Sequence, residues 1–244
     1  MEIDPGMSAT AVLIAGFVIG IALNKGLFGD APFSLATGST IAGNYVVRVG
    51  AQVEAGTAKA FGIDVAADEC IVTDNLLVYG STDYGGINVS GGNPVVERNH
   101  LRSLVGQAGA TQAVGIVVAR LSAKGSLGSI GGRIVGNRIV GVQDGIVLVG
   151  NNAAEVLENR IESEGNEARF GILAVASNQV RLYGNRVTNA MWPVAVGGGT
   201  ANVILENTLL RGGGGITLAY HLSLTCSQNR IEAMRDWGII SLIG

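Results

Sequence analysis

One distance, repeated without drift, constrains this chain more than any other feature. From Gly145, Gly171, Pro193 and Gly215 it is 14 residues in every case to Asn159, Asn185, Asn207 and Asn229, and those asparagines follow one another at steps of 26, 22 and 22. Each pass reads Gly-Ile-x-aliphatic, a run of small residues, then aliphatic-x-x-Asn-Arg-aliphatic, as in Gly145-Ile146-Val147-Leu148 leading to Asn159-Arg160-Ile161. Pro193 and the Asn207-Thr208 pair are the departures. A fixed period in this range means stacked supersecondary units, each too small to bury a core alone.

Within the Gly-Ile strand the alternation has period 2, so Ile146 and Leu148, Ile172 and Ala174, and Ile216 and Leu218 each share one side. A segment this short cannot form a sheet by itself. It can pair in parallel with its copy one coil later, about 4.8 Å away. The glycine and the asparagine both read as bends needing a positive φ, which these residues reach cheaply. With Asn75, Asn99, Asn137, Asn159, Asn185, Asn207 and Asn229 at one corner of successive coils, each amide can donate to its neighbour while the backbone takes a left-handed turn. A leucine-rich horseshoe would show fixed leucines and a helical return, and a propeller blade needs about 40 residues; neither pattern is present.

The Gly-Ile-x-Val and x-x-Asn-Arg-Ile signature resembles the right-handed parallel β-helix superfamily of pectate lyases, pectin-degrading hydrolases and phage tailspikes, from roughly Pro32 to the C-terminus. The resemblance implies an all-β, right-handed parallel β-helix solenoid of about eight coils over residues 32–244, preceded by residues 1–31 as a first coil or hydrophobic cap. It leaves the activity open, since that superfamily holds lyases, hydrolases, epimerases and non-enzymatic surface proteins.

Composition agrees with short strands around a small aliphatic interior: 38 glycines, 14% charged and 5% aromatic residues. A mean hydropathy of +0.39 is high for a surface left bare, so some of it should be covered by a partner. The net charge of −3, with no aromatic RNA-binding motif, argues against nucleic acid. Cys70 and Cys226 stand about six coils apart, beyond disulfide reach, and read as small core residues that leave the compartment open.

Met1 to Gly6 reads as foreign to the repeat, with Met7 as the natural start. The apolar run Ala9 to Leu23, interrupted by Gly16 and Gly20, is shorter than the roughly 20 residues of a membrane span and lacks the basic n-region of a signal peptide. The intervals from Pro32 to Asn44, Gly62 to Asn75 and Gly86 to Asn99 are slightly short of 14, whereas Gly115 to Asn137 carries an insertion around Ser122 to Gly132. Gly238-Ile239-Ile240 begins a further coil. The segments Gly50 to Ala60, Arg102 to Gln112 and Ser163 to Arg169 are long and all leave the coil after the Asn strand. Solenoid insertions gather on one edge, often the binding edge.

Four groups of residues compete for a role. Phe61, Tyr84, Phe170, Trp192 and Trp237 all precede their coil's anchor, with Asp144, Arg235 and Asp236 at the same corner. Stacked, they form an aromatic track for sugar rings, or simply pack on one another. Arg138, Arg160, Arg186 and Arg230 follow their asparagines while Glu158, Glu162, Glu206 and Glu232 interleave, which reads as a solvated ion-pair face. The enzymes of the resembled superfamily need clustered carboxylates, for Ca²⁺ or for paired acid and base work. Here Asp64 lies beneath Asn88, with Asp83 nearby, and the position then becomes Val117, Val147 and Leu173. Finally, Val117, Val147, Val149, Leu173, Val175 and Ala195 form an outward apolar row that predicts an interface, or a surface onto which Ala9 to Leu23 folds back.

The resulting expectation is a non-catalytic structural or surface-recognition module, similar to the shafts of tailspikes and injection-machine proteins, extracellular or virion-associated, with polysaccharide as a further partner. The competing class is a polysaccharide lyase or hydrolase, and a third reading is a bacterial adhesin. No catalytic residue, metal site or cofactor is assigned, and the expected partners include a homo-oligomer or larger parent assembly.

Overall fold

The structure, a computed structural model, describes residues 8–10, 13–15, 21–23, 38–49, 60–79, 84–104, 113–119, 130–164 and 167–242. Its strands pair in parallel along three ladders that the chain visits in turn. The first face runs from Ser8–Thr10 through Thr40–Ala42, Ile71–Thr73, Val95–Glu97, Ile130–Val135, Asn151–Leu157 and Arg181–Tyr183. The second follows each asparagine, from Leu13–Ala15 through Tyr45–Val49, Leu76–Tyr79, His100–Ser103, Arg138–Val140 and Arg160–Glu162. The third holds the Gly-Ile strands, from Ile21–Leu23 through Ala60–Val65, Tyr84–Val89, Val114–Ala119, Asp144–Val149 and Ala168–Val175. All three ladders continue into Arg186–Leu205 and Thr208–Ser227, and the second and third into Arg230–Leu242, strands long enough to turn the corners.

Inside, each face contributes one aliphatic column. On the third face Ile63, Ile87, Ile116, Ile146, Ile172, Val194 and Ile216 stand in register at 0% exposure. Each such side chain contributes about 1.5–3 kcal/mol on leaving water. The next member of that column, Ile239, is 54% exposed, because the last coil has a neighbour on one side only. Cys70 is buried and Cys226 partly buried, and both are free thiols.

The asparagines do stack. From Asn44 to Asn229 each backbone N–H and each Nδ2 donates to the Oδ1 of the asparagine one coil on, at 2.9–3.0 Å. Two expectations about the turns need correction. The left-handed residue is the one before each asparagine: Asp74, Arg98, Gly136, Glu158, Gly184, Glu206 and Gln228 all have φ between 52° and 64°. The glycine of each Gly-Ile pair is there for space. A Cβ on Gly145 would meet the carbonyl oxygen of Gly171 and lie 2.8 Å from Ile161 Cγ2, and Gly115 and Gly171 are hemmed in the same way.

Residues 1–7, the Pro32-Phe33 pair and most of Gly50 to Ala60, of Arg102 to Gln112 and of the insertion at Ser122 to Gly132 lie outside the described residues. Arg160–Glu162 on the second face and Ala168–Val175 on the third put the described part of Ser163 to Arg169 at the corner between those two faces. The described strands between Ser8 and Leu23 continue the three ladders beneath Thr40–Ala42, Tyr45–Val49 and Ala60–Val65, so they do not cover the outward apolar row.

Candidate binding corner

The corner at Ser163 to Arg169 also carries the aromatic row. Gly85, Val114, Asp144, Phe170 and Trp192 share one register position, with Phe61 at its lower end opposite Gly85 and Trp237 opposite Gly214 higher up. Tyr84 stands one residue earlier, opposite Ala60, and its side chain lies outside the described residues. Phe170 and Trp192 stack, with ring centroids 5.1 Å apart and planes inclined by 24°. Stacking engages one face of each of these two rings. Where the column has a glycine, a ring takes its place: Phe61 lies over Gly85 and Trp237 over Gly214, each where a Cβ would stand.

No spacing in the sequence singles out Arg169, yet it joins the charged and aromatic parts. Its Nε donates to Asp144 Oδ1 at 3.0 Å, its Nη2 donates to Oδ2, and its guanidinium lies 5.3 Å from the Phe170 centroid. The Asp144 side chain is 7% exposed and that of Arg169 47%. The Asp144 hydrogen bonds raise the Arg169 pKa against the opposing effect of partial burial. Higher on the corner Arg235 crosses Gly213 and donates from Nη2 to Glu167 Oε2 at 2.6 Å, and lower down Arg102 meets Glu164 at 3.1 Å. Asp236 is exposed and makes no hydrogen bond among the described residues. The one available signal for Arg169 is its place just before an aromatic, like Asp236 before Trp237.

Elsewhere the arginine row is in register, but only part of it is neutralised. Glu162 takes both Arg138 and Arg160, and Arg230 has Glu232 at 2.6 Å. Glu206 accepts the Tyr183 hydroxyl at 3.0 Å instead of an arginine, and Arg186 has no ion pair among the described residues. Asn88 donates from Nδ2 to Asp64 at 2.8 Å, and Val117, Val147 and Leu173 follow in that register. Val149 and Val175 pair two residues on, with Val175 39% exposed. No group of three or more His, Cys, Asp or Glu residues comes together among the described residues.

A family model described as periplasmic copper-binding protein (NosD) matches residues 125–243. Among solved structures, the mannuronan C-5 epimerase AlgE4 A-module of Azotobacter vinelandii is 15% identical over 83% of this chain, with a TM-score of 0.48; the chain spans 64% of that module. No curated protein matches. Its three parallel ladders and its asparagine column give the chain the fold of a parallel β-helix.

Proposed function

We propose that this chain is a rigid, non-catalytic recognition module that holds an extended polysaccharide along the corner between its second and third faces. The observation that carries this reading is the coincidence of three things at one edge: the connection at Ser163 to Arg169, the Phe170–Trp192 stack, and the Arg169–Asp144 pair beside it. Aromatic edges and flanking polar groups suit a ligand whose rings are apolar on their faces and hydroxylated at their rims. Trp192→Leu should keep the fold and lose binding across a glycan panel; a full panel without a ligand for the parent chain sinks the reading.

The matching family is described as periplasmic, which supports a place outside the cytoplasm. Its copper finds no set of ligands here. Among the described residues Cys70 and Cys226 occupy separate coils, no three metal-type ligands gather, and His100 faces Arg138 and Arg102. The outward row Val117, Val147, Val149, Leu173 and Val175 suits a contact with another copy or a larger assembly. A mass by light scattering above that of one chain, lowered by Leu173→Asp, is the expected result.

The competing reading is an enzyme acting on a polysaccharide, and the buried Asp144 carboxylate beside an arginine is what favours it. A depolymerisation screen with and without Ca²⁺ separates the two, since a recognition module leaves the polymer length unchanged.

A further inference from the structure

We infer that the polymer held at this corner carries no charge, an inference that rests on the recognition reading above. Among the described residues of the corner, Arg102, Arg169, Arg211 and Arg235 stand with Asp144, Glu164, Glu167 and Asp236, while Glu162 and Glu232, level with Arg102 in the ladder, are held by Arg138, Arg160 and Arg230. Three of the arginines already hold a carboxylate of their own: Arg169 with Asp144, Arg235 with Glu167, and Arg102 with Glu164. The remaining two, Arg211 and Asp236, are of opposite sign. Among the described residues the charges along this edge are thus paired or balanced, which leaves little field to draw a uronate or sulfate chain.

An acidic sugar that engages Arg102, Arg169 or Arg235 would have to take it from its partner. At Arg169 that would strand the Asp144 carboxylate in a site where its side chain is 7% exposed, which is the unfavourable half of breaking a buried ion pair. Hydroxyl groups face no such obstacle. A guanidinium has five N–H donors, and Arg169 commits only Nε and Nη2 to Asp144. The unused donors, with the free lone pairs of the paired carboxylates, can serve both halves of a sugar hydroxyl while the pair stays intact. From Asp144 through Phe170, Trp192 and Gly214 to Trp237 the register advances four rungs, about 19 Å at the usual strand spacing, enough for several units of an extended chain.

The test is titration of the full chain with uncharged polymers (a β-glucan, a galactomannan) and with charged ones (polygalacturonate, alginate, chondroitin sulfate), each at low and high salt. An uncharged polymer should bind, with affinity changing less than about threefold between the two salts, and Trp192→Leu should weaken it at least about tenfold. A charged polymer that binds best, with affinity collapsing in salt, overturns this inference and leaves the recognition reading standing. Uncharged binding that survives Trp192→Leu, or no binding by either class, overturns both. Arg235→Gln, on a more exposed pair, is the second variant should Trp192→Leu fail to fold; it should weaken an uncharged ligand and leave the chain's thermal midpoint in place, and an unchanged affinity overturns the inference.

Discussion

Asn185 Oδ1 accepts two hydrogen bonds from Asn159, one from its backbone N–H and one from its Nδ2, both 3.0 Å long. The Asn185 Nδ2 in turn donates to Val156 O at 2.8 Å and to Asn207 Oδ1 at 3.0 Å. Asn185→Ala therefore orphans groups on two neighbouring coils, and each buried polar group left alone costs about 1–3 kcal/mol. A loss of about 3 kcal/mol or more in urea unfolding is expected. A loss under about 1 kcal/mol would mean the amide column is decorative.

Gly145 and Gly136 separate crowding from backbone strain. Gly136 has φ +62° and nothing within 4 Å of the place a Cβ would take, whereas Gly145 is hemmed in by Gly171 O and Ile161. Gly136→Asn should be nearly neutral, since asparagine enters the left-handed region at little cost. Gly145→Asn should lose about 2–3 kcal/mol through overpacking, again by chemical denaturation.

The Arg169–Asp144 pair gives a cycle. Arg169→Ala leaves the Asp144 carboxylate buried alone, and because Arg169 is 47% exposed the cost is about 1–2 kcal/mol, below that of a fully buried pair. Asp144→Asn together with Arg169→Gln should recover most of it. Additive losses in the double variant would show that the two side chains do not act as a pair.

Burial first, and then the cations Arg138 and Arg102, hold the His100 imidazole below its ordinary pKa. The folded chain thus prefers the neutral ring, and the associated stability is present above the unfolded-state value of about 6.5. It is lost as pH falls from there through the folded-state value. Between pH 7 and 5 the parent chain should lose stability faster than His100→Gln, measured as the difference between the two melting curves. Asp74, held low by Arg98 and Thr73, acts in a lower window and cancels in that difference.

Much of this architecture is legible because it is written in residue types with few alternative uses. A column of Ile63, Ile87, Ile146 and Ile172 at a near-constant distance from asparagines has few readings besides a stacked interior. The turns are less legible. Arg98, Glu158 and Glu206 sit in the left-handed region, where their side chains carry no turn signal, and only the backbone of the next coil explains why they do. The glycine of each Gly-Ile pair suggests a conformational need in the sequence, yet it answers to an atom some 26 residues away, as Gly145 does to Gly171. At the corner the aromatic row follows from its spacing. The Arg169–Asp144 and Arg235–Glu167 pairs do not, because partners 25 and 68 residues apart share no local pattern.

Among the described residues Ile239 is the outermost and most exposed member of its column, and the corner reaches it. Residues 230–242 pair on one side only, so in this chain on its own their amides should exchange with solvent first. Trp237 and Arg235, anchored over Gly214 and onto Glu167, are the clasp that ties this fraying turn to coils deeper in the stack. A sugar chain bound across the clasp would slow exchange throughout the final turn, so occupancy and melting of that tip become two readings of one equilibrium.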